Sequence, residues 1–128
     1  MTGIAVATRA CMVLGCMSKS KAKGTAFETL IVNYLREFYP NVERRTLSGV
    51  HDKGDIAGTN KKLIWECKDH KTLNFSGWLK EAEIERGNAN AEYGIVVAKR
   101  RGHGDPGSQY VVLTLESMVQ LLKKAGLI

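Results

Sequence analysis

Two carboxylates and an ammonium group are spaced so that folding could bring them together. Asp55 precedes a turn-like segment at residues 59–62, and Glu66 and Lys68 end the apolar, strand-like run that follows it. Alternate side chains of a strand share one face, so Glu66 and Lys68 should point the same way. A hairpin at this turn would place Asp55 beside Glu66. Carboxylate oxygens are hard ligands, and we interpret the pair as a candidate site for a divalent cation.

An ordinary hairpin with charged residues on its solvated face is the alternative interpretation. An aspartate followed by a Glu-x-Lys triplet is common by chance. The surrounding sequence favours chemistry, because Asp55 and Glu66 are embedded in apolar residues, where an unpaired carboxylate is unfavourable unless a cation or a proton compensates it. Carboxylates in such surroundings are candidates for catalysis.

A third carboxylate comes from a predicted helix upstream. Between residues 23 and 39 the apolar residues recur with helical spacing and form one buried stripe. Glu28 lies at the edge of that stripe and borders the core. A glutamate at such a boundary can equally be a surface residue with a buried stem. Together with Asp55 and Glu66, it supplies the third carboxylate that a metal site would need.

Taken in order, these motifs resemble those of a known family. Residues 23–28 at a helix start, the loop at Ser48, the segment around Asp55 and the triplet from Glu66 to Lys68 are similar to the motifs of the PD-(D/E)xK nuclease superfamily. Within it, the chain most resembles the archaeal-type Holliday junction resolvases and their phage counterparts. The resemblance covers about residues 21–122, and Gly54 stands where the superfamily's name has proline.

The resemblance implies a metal-dependent DNA endonuclease. The implied ligands of Mg²⁺ or Mn²⁺ are Glu28, Asp55, Glu66 and the backbone carbonyl of Cys67. The implied catalytic residues are Glu28, Asp55, Glu66, Lys68 and Ser48. Lys68 would position or activate the attacking water, whereas Ser48 can equally be an ordinary turn residue. The chemistry agrees, because a carboxylate-bound metal supplies both a hydroxide-like nucleophile and neutralisation of phosphate charge.

The charge balance indicates a polyanionic partner. The chain has 128 residues, enough for one domain, and its 19 Lys and Arg against 13 Asp and Glu give a net charge of +6. Many proteins carry such charge without binding nucleic acid, but here the cations are clustered in segments that flank the proposed site. The expected contacts to branched or duplex DNA are Lys21, Lys23, Arg44, Arg45, Lys61, Lys62, Lys99, Arg100 and Arg101.

The periodicity predicts an α/β fold, and its element order, α-β-β-β-α-β-β-α, matches the restriction-endonuclease-like core, a central mixed sheet flanked by helices. Helices are expected at 23–39, 78–90 and 116–125, and strands at 42–47, 55–58, 63–69, 93–98 and 110–115. The continuous apolar run at 93–98 is typical of a central strand covered on both faces. Residues 99–109 read as a flexible connection or a DNA-gripping loop. Glu81, Glu83 and Glu85 should form a solvated helical face, and Asp69 a solvated loop position.

Residues 1–20 are expected to be an N-terminal extension and residues 21–128 the nuclease domain. The apolar part of the extension is too short to span a bilayer and is interrupted by Arg9, so we expect no membrane association; the alternative is an element used for dimer packing. The three cysteines show no paired spacing, so neither a disulfide framework nor a structural zinc site is indicated. The expected compartment is therefore the cytoplasm of a prokaryotic or phage-infected host cell.

These observations favour a resolvase of four-way DNA junctions that acts as a homodimer. Symmetric nicking of two strands needs two related active sites, which a twofold dimer supplies. The alternatives are another structure-specific or duplex nuclease of the same fold, and a nucleic-acid-binding protein that does not cleave. Three clustered carboxylates facing a polyanion argue against the non-cleaving alternative.

Overall fold

The computed structural model describes residues 19–45 and 51–128. The helices are α1 (Lys19–Leu35), α2 (Phe75–Ala89) and α3 (Leu115–Lys124), and the strands are β1 (Glu43–Arg44), β2 (Ile56–Ala57), β3 (Leu63–Lys68), β4 (Tyr93–Ala98) and β5 (Tyr110–Val112). A 3₁₀ turn, Pro106–Ser108, precedes β5. The chain is thus mixed α/β, with its elements in the predicted order. In these two ranges no helix is long and apolar enough to cross a membrane.

The strands form two sheets rather than the single central sheet that was predicted. β3 and β4 pair in parallel and β5 adds to β4 in the antiparallel sense, which gives a mixed three-stranded sheet. β1 and β2 form a separate antiparallel ribbon. The ribbon is linked to the sheet at Asp55, whose backbone N–H donates to the carbonyl of Trp65 at 2.7 Å and whose carbonyl accepts from the N–H of Arg45 at 2.8 Å.

Helices cover both faces of the three-stranded sheet. Ile95 and Val97 of β4 pack in the cluster that includes Phe27 and Ile31 of α1. Val96 and Ala98 pack in the cluster on the α2 side, with Ile64, Trp78 and Ala82. The prediction of a central strand at 93–98, buried on both faces, is confirmed, because four of its six residues lie in these two clusters. Glu66 shares the face of Ile64 and therefore lies beneath α2 instead of on a solvated face.

α2 begins and ends at two asparagines. The side chain of Asn74 accepts a hydrogen bond from the N–H of Gly77 at 3.1 Å, which starts the helix earlier than the predicted residue 78. Asn90 ends the helix in the left-handed conformation, with its N–H bonded to the carbonyls of Arg86 and Gly87. The buried stripe of α2 is Trp78, Ala82 and Glu85. Trp78 therefore packs in the core.

The predicted boundaries differ most at the two ends of the domain. α1 begins at Lys19 and ends at Leu35, earlier than the predicted 23–39. α3 follows a strand of only three residues, which offers it little apolar surface, and none of its residues is fully buried. Met118 of α3 is 42% exposed. The helix that follows β5 is therefore packed more loosely against the rest of the protein than α2, which covers Glu66.

Gly54 allows the chain to approach β3 immediately before Asp55. Its φ is +98°, and a Cβ built there would lie 2.7 Å from the carbonyl oxygen of Trp65. We expect Gly54→Ala to lower the free energy of unfolding by about 1–3 kcal/mol, because the side chain would be strained and would push Asp55 away from β3. Urea unfolding monitored by circular dichroism measures this change.

Gly87→Ala is the matched control, because Gly87 lies within α2 and an added Cβ would meet nothing within 4 Å. Alanine there should leave stability unchanged or raise it by up to about 1 kcal/mol. Equal effects of the two substitutions would contradict the role given to Gly54.

Candidate active site

An open cleft of about 480 Å³ lies at the carboxyl end of β3. Four of the five predicted catalytic residues line it: Glu28 from α1, Asp55 from the loop before β2, and Glu66 and Lys68 from β3. Cys67 lines it as well, and so does Glu81 of α2. The fifth predicted residue, Ser48, lies outside the described residues. Four segments of the chain thus bring their charged side chains to one cleft.

Asp55 is held in place by both its main chain and its side chain. Its backbone joins the ribbon to β3, as described above, and its Oδ2 accepts a hydrogen bond from the backbone N–H of Cys67 at 2.7 Å. A short bond from an amide to a carboxylate is charge-assisted and fixes the rotamer. One carboxylate oxygen of Asp55 is therefore fixed to β3.

Glu66 is the most deeply buried acid of the cleft, with 3% of its surface exposed. Its Oε2 lies 3.2 Å from the Nζ of Lys68, while Oε1 has no hydrogen-bond partner within the described ranges. Burial, followed by the proximity of Asp55, raises the pKa of Glu66 to about 11. Without a cation, Glu66 therefore carries a proton at neutral pH.

Lys68 is largely buried and stays charged. Its Nζ donates to Oε1 of Glu81 at 2.7 Å and lies near Glu66. Burial acts to lower the pKa of Lys68, but the hydrogen bond with Glu81 and the charge of Glu66 outweigh it and raise the pKa above its ordinary value. For Glu81, burial acts to raise the pKa, and the bond from Lys68 lowers it overall. The ammonium group is thus fixed between two acids at the mouth of the cleft.

Glu28 and Cys67 complete the predicted metal-binding set. Glu28 is partly buried, and its Oε1 accepts a hydrogen bond from Nε of Arg44 at 2.9 Å. Burial raises the pKa of Glu28, Arg44 opposes that rise, and the charge of Asp55 adds to it. Burial also raises the pKa of the Cys67 thiol well above its ordinary value. The thiol is therefore neutral, which leaves the main chain as the part of Cys67 suited to a hard cation.

The prediction of a solvated acidic face on α2 was wrong for Glu85, one of its three glutamates. Glu85 is 2% exposed, and burial, followed by the charge of Asp52, raises its pKa to about 8. Glu81 bonds Lys68, whereas Glu83 is exposed and pairs with Arg86 at 2.6 Å. The signal was present in the sequence, because Glu85 continues the stripe that Trp78 and Ala82 begin.

Asp69 also differs from its expected solvated position. Its side chain is only 7% exposed and forms ion pairs with Lys23 at 3.6 Å and with Arg101 at 3.5 Å. These two partners were predicted to contact DNA, and Lys23 lines the cleft. A third predicted DNA contact, Arg44, pairs with Glu28. The ion pairs therefore gather cations from α1, β1 and the loop after β4 around the cleft.

The remaining predicted DNA-binding cations lie in other places. Lys61 is exposed in the turn before β3, and Lys62 pairs with Glu92 at 3.5 Å; both lie at the end of β3 opposite Lys68. Lys21 is exposed on α1, and Arg45 follows β1 and is partly buried. Lys61 and Lys62 therefore lie away from the cleft, whereas Lys23 lines it.

The loop at 99–109 is organised by the side chain of Gln109. Its Nε2 donates to the carbonyls of His103 at 2.9 Å and Asp105 at 2.7 Å, and its Oε1 accepts from the N–H of Arg100 at 2.7 Å. Nζ of Lys99 donates to the carbonyl of His103, and the guanidinium of Arg100 lies over the ring of Tyr110. The three loop cations therefore project from a braced segment rather than from a loose connection.

The raised pKa values of Glu66 and Glu85 predict that stability falls as the pH rises. Both exceed the ordinary value of 4.5, so above pH 4.5 the folded chain keeps protons that the unfolded chain has released. The free energy of unfolding should then decrease by up to about 1.4 kcal/mol per pH unit for each proton, until about pH 8 for Glu85. The pKa of Glu81 is lowered, so the stability that Glu81 contributes is instead lost as the pH falls through that pKa.

Urea unfolding in a chelator at pH 5.5 and 8.0 measures this dependence. Glu85→Gln should make the free energy of unfolding less dependent on pH, because it removes one of the two carboxyl groups that keep a proton only in the folded chain. Added Mn²⁺ should stabilise the protein more at pH 8.0 than at pH 5.5, because a cation competes with the protons. Stability that rises over this interval in the chelator would contradict the burial of ionisable acids.

The arrangement can hold a cation on carboxylate oxygens beside a charged lysine, in a cleft open to a large polyanion. Comparison with protein-family models, curated proteins and solved structures gave no match. The functional argument therefore depends on the geometry of these side chains and on the order of their motifs in the sequence.

Proposed function

We propose that the protein is a metal-dependent DNA endonuclease with a restriction-endonuclease-like core. The observation that carries this proposal is the meeting of Glu28, Asp55, Glu66 and Lys68 around one open cleft. The order of elements and the placement of the Glu-x-Lys triplet on a strand paired in parallel with β4 support the fold assignment. Four charged groups from three separate segments are more specific evidence than any one motif.

The donor set fits Mg²⁺ or Mn²⁺. Glu28, Asp55, Glu66 and the carbonyl of Cys67 would hold the cation through oxygen, the ligand type that both ions prefer. Burial, followed by the proximity of Asp55, raises the pKa of Glu66, and a cation held by the two carboxylates would offset both effects. When bound, such a cation lowers the pKa of a coordinated water and offsets negative charge on the phosphate.

The residues of the chain supply the remaining functions. The N–H of Cys67 orients Asp55, and Arg44 orients Glu28, so both carboxylates are positioned before DNA binds. Because its pKa is raised, Lys68 acts as a charged hydrogen-bond donor that positions a water or a phosphate oxygen, rather than as a neutral base. Lys23 and Arg44 at the cleft would contact the adjacent phosphates.

The proposed substrate is branched DNA, with the four-way junction favoured, and the proposed assembly is a homodimer. Two related active sites would cut two strands symmetrically. A nuclease of the same fold that acts on flaps or duplex is the alternative. A binding protein that does not cleave is less well supported, because it would gain nothing from an acid such as Glu66 buried beside the DNA.

Incubation of the protein with end-labelled four-way junction, flap and linear duplex tests the proposal, with Mg²⁺, with Mn²⁺ and with a chelator. We expect cleavage that requires a cation and is fastest on the junction, with paired symmetric nicks. Cleavage of only the flap or only the duplex would support the nuclease activity but contradict the proposed preference for four-way junctions. Binding of all three DNAs without cleavage in the presence of either ion would reject the proposed nuclease activity.

The basic loop after β4 offers a prediction about DNA binding. Replacing Lys99, Arg100 and Arg101 together with glutamine removes up to three phosphate contacts, and each should lower the salt slope of log affinity by about 0.9. The loss should be larger for a four-way junction than for a duplex of equal length, because only the junction presents several arms. Fluorescence anisotropy at several salt concentrations measures both quantities.

The matched control is the replacement of Lys61 and Lys62, which lie at the opposite end of β3 from the cleft. This pair should affect affinity and salt slope less than the loop variant. Equal loss on junction and duplex would make the loop a general electrostatic contact. Unchanged binding by the loop variant would show that the loop only connects β4 to β5 and does not contact DNA.

A further inference from the structure

A second group of acids lies on the α2 side of β3. One carboxylate oxygen from each of Glu66, Glu81 and Glu85 lies within 4.8 Å of those from the other two. Glu66 belongs to both groups, since its carboxyl also interacts with Asp55. We propose that Glu66, Glu81 and Glu85 form a second binding position for a divalent cation, separate from the one assigned to Glu28 and Asp55.

Two buried oxygens point to a ligand at this position. Oε1 of Glu66 and Oε1 of Glu85 are both buried, and neither finds a hydrogen-bond partner in the part of the chain that the structure describes. A buried carboxylate oxygen without a partner is unfavourable, because it has lost its hydrogen bonds to water. The two side chains come from β3 and α2, so the packing of helix on sheet brings them together. A cation between them would satisfy both oxygens at once.

The local charge matches one divalent ion. Lys68 is the ammonium group bonded to this cluster, 2.7 Å from Oε1 of Glu81 and 3.2 Å from Oε2 of Glu66. With all three carboxylates ionised, Lys68 offsets one negative charge and two remain. A divalent cation neutralises these two, which no rearrangement of Lys68 alone can do.

The ligand chemistry selects a hard cation. All three side chains offer carboxylate oxygen, the donor preferred by Mg²⁺, Mn²⁺ and Ca²⁺ over copper or structural zinc. Glu81 is partly exposed and lines the cleft, so water can reach the position and complete the coordination shell. Cation binding by this group does not require DNA and goes beyond the proposed nuclease activity.

Titration of the full chain with Mn²⁺ in the absence of DNA tests the proposal, with calorimetry for stoichiometry and electron paramagnetic resonance for the environment of the ions. The wild type should bind two Mn²⁺ per chain, with spectra broadened because the shared Glu66 holds the two ions close together. Glu85→Gln should remove or weaken one ion at least about tenfold and return the spectrum to that of an isolated ion. Asp55→Asn should remove the other ion.

Glu83→Gln is the matched control, because Glu83 lies on α2 between the two ligands in sequence but is exposed and paired with Arg86. It should bind two ions as the wild type does. Glu81→Gln provides a second test on a partly exposed residue, should Glu85→Gln fail to fold as judged by circular dichroism.

A single Mn²⁺ in the wild type that Glu85→Gln leaves in place would overturn the proposal, as would wild-type binding by both Glu81→Gln and Glu85→Gln. Loss of an ion in Asp55→Asn alone would keep the metal centre of the proposed nuclease and reject the second position. Loss in Glu85→Gln with no change in Asp55→Asn would support the second position and reject that nuclease centre. The two proposals therefore fail in different experiments.

Discussion

Asp55→Asn is expected to reduce Mg²⁺-dependent cleavage of DNA by roughly 10³-fold or more while DNA binding is retained. The substitution keeps an oxygen that can accept the hydrogen bond from the N–H of Cys67 but removes the negative charge that a cation needs. Loss of the metal removes several kcal/mol or so of transition-state stabilisation. Affinity for DNA should be unchanged or tighter, because one charge that repels phosphate is gone.

Glu66→Gln should show the same loss of cleavage together with a gain in stability. Folding keeps the carboxyl of Glu66 protonated at a pH where the unfolded chain would ionise it, which lowers stability. Glutamine is neutral at every pH and avoids this loss. A more stable but inactive protein would separate a catalytic role from a structural one. Single-turnover cleavage and urea unfolding at pH 8.0 provide the two measurements.

Glu43→Gln serves as the control for both variants, because Glu43 is an exposed acid on the same ribbon, paired in register with Ala57. It should retain wild-type cleavage and stability. Wild-type cleavage by Asp55→Asn or by Glu66→Gln would eliminate this cleft as the active site.

Lys68→Met should lower the cleavage rate at saturating DNA by about 10²- to 10⁴-fold with little change in affinity. Methionine keeps much of the apolar stem and removes the ammonium group that lies between Glu66 and Glu81. Measurement of the rate and the dissociation constant on the same substrate separates the two effects. A parallel fall in rate and affinity would make Lys68 a phosphate anchor instead.

Loss of Lys68 also leaves two acids without their cation, which could lower activity through stability alone. The double variant Lys68→Met with Glu81→Gln removes one of these acids and should recover stability. If Lys68 acts on the reacting groups, the double variant stays slow. Recovery of the rate together with stability would show that Lys68 only neutralises its neighbours.

The position of β3 illustrates what local sequence pattern can and cannot predict. The alternation placed Glu66 and Lys68 on one face, and the ion pair between them agrees with it. That this face would be covered by α2 depends on the parallel pairing of β3 with β4, a contact between residues far apart in sequence. Because parallel strands need a crossover helix, the face that resembled a solvated hairpin surface became an interior one.

The acids of α2 show the same limit in a different way. A run of alternating glutamates with nearby cations has the composition of a solvated face, and composition outweighed spacing in the prediction. Glu85 is buried because it lies on the same face of the helix as Trp78 and Ala82. Its neighbour Glu66 is on another element. Partners between elements are set by tertiary packing, which also explains why the ion pairs of Asp69 were missed.

The link between the ribbon and β3 has a consequence for the kinetics of folding. The unit β3–α2–β4 is continuous in sequence and contains Glu66 and Lys68, so it can form before the ribbon is in place. A ribbon of two-residue strands is unstable alone and forms only when it docks through Asp55. Asp55, whose proximity adds to burial in raising the pKa of Glu66, is then placed beside it only in the last step. If docking of the ribbon follows the rate-limiting barrier, Asp55→Asn would slow unfolding and leave the folding rate nearly unchanged.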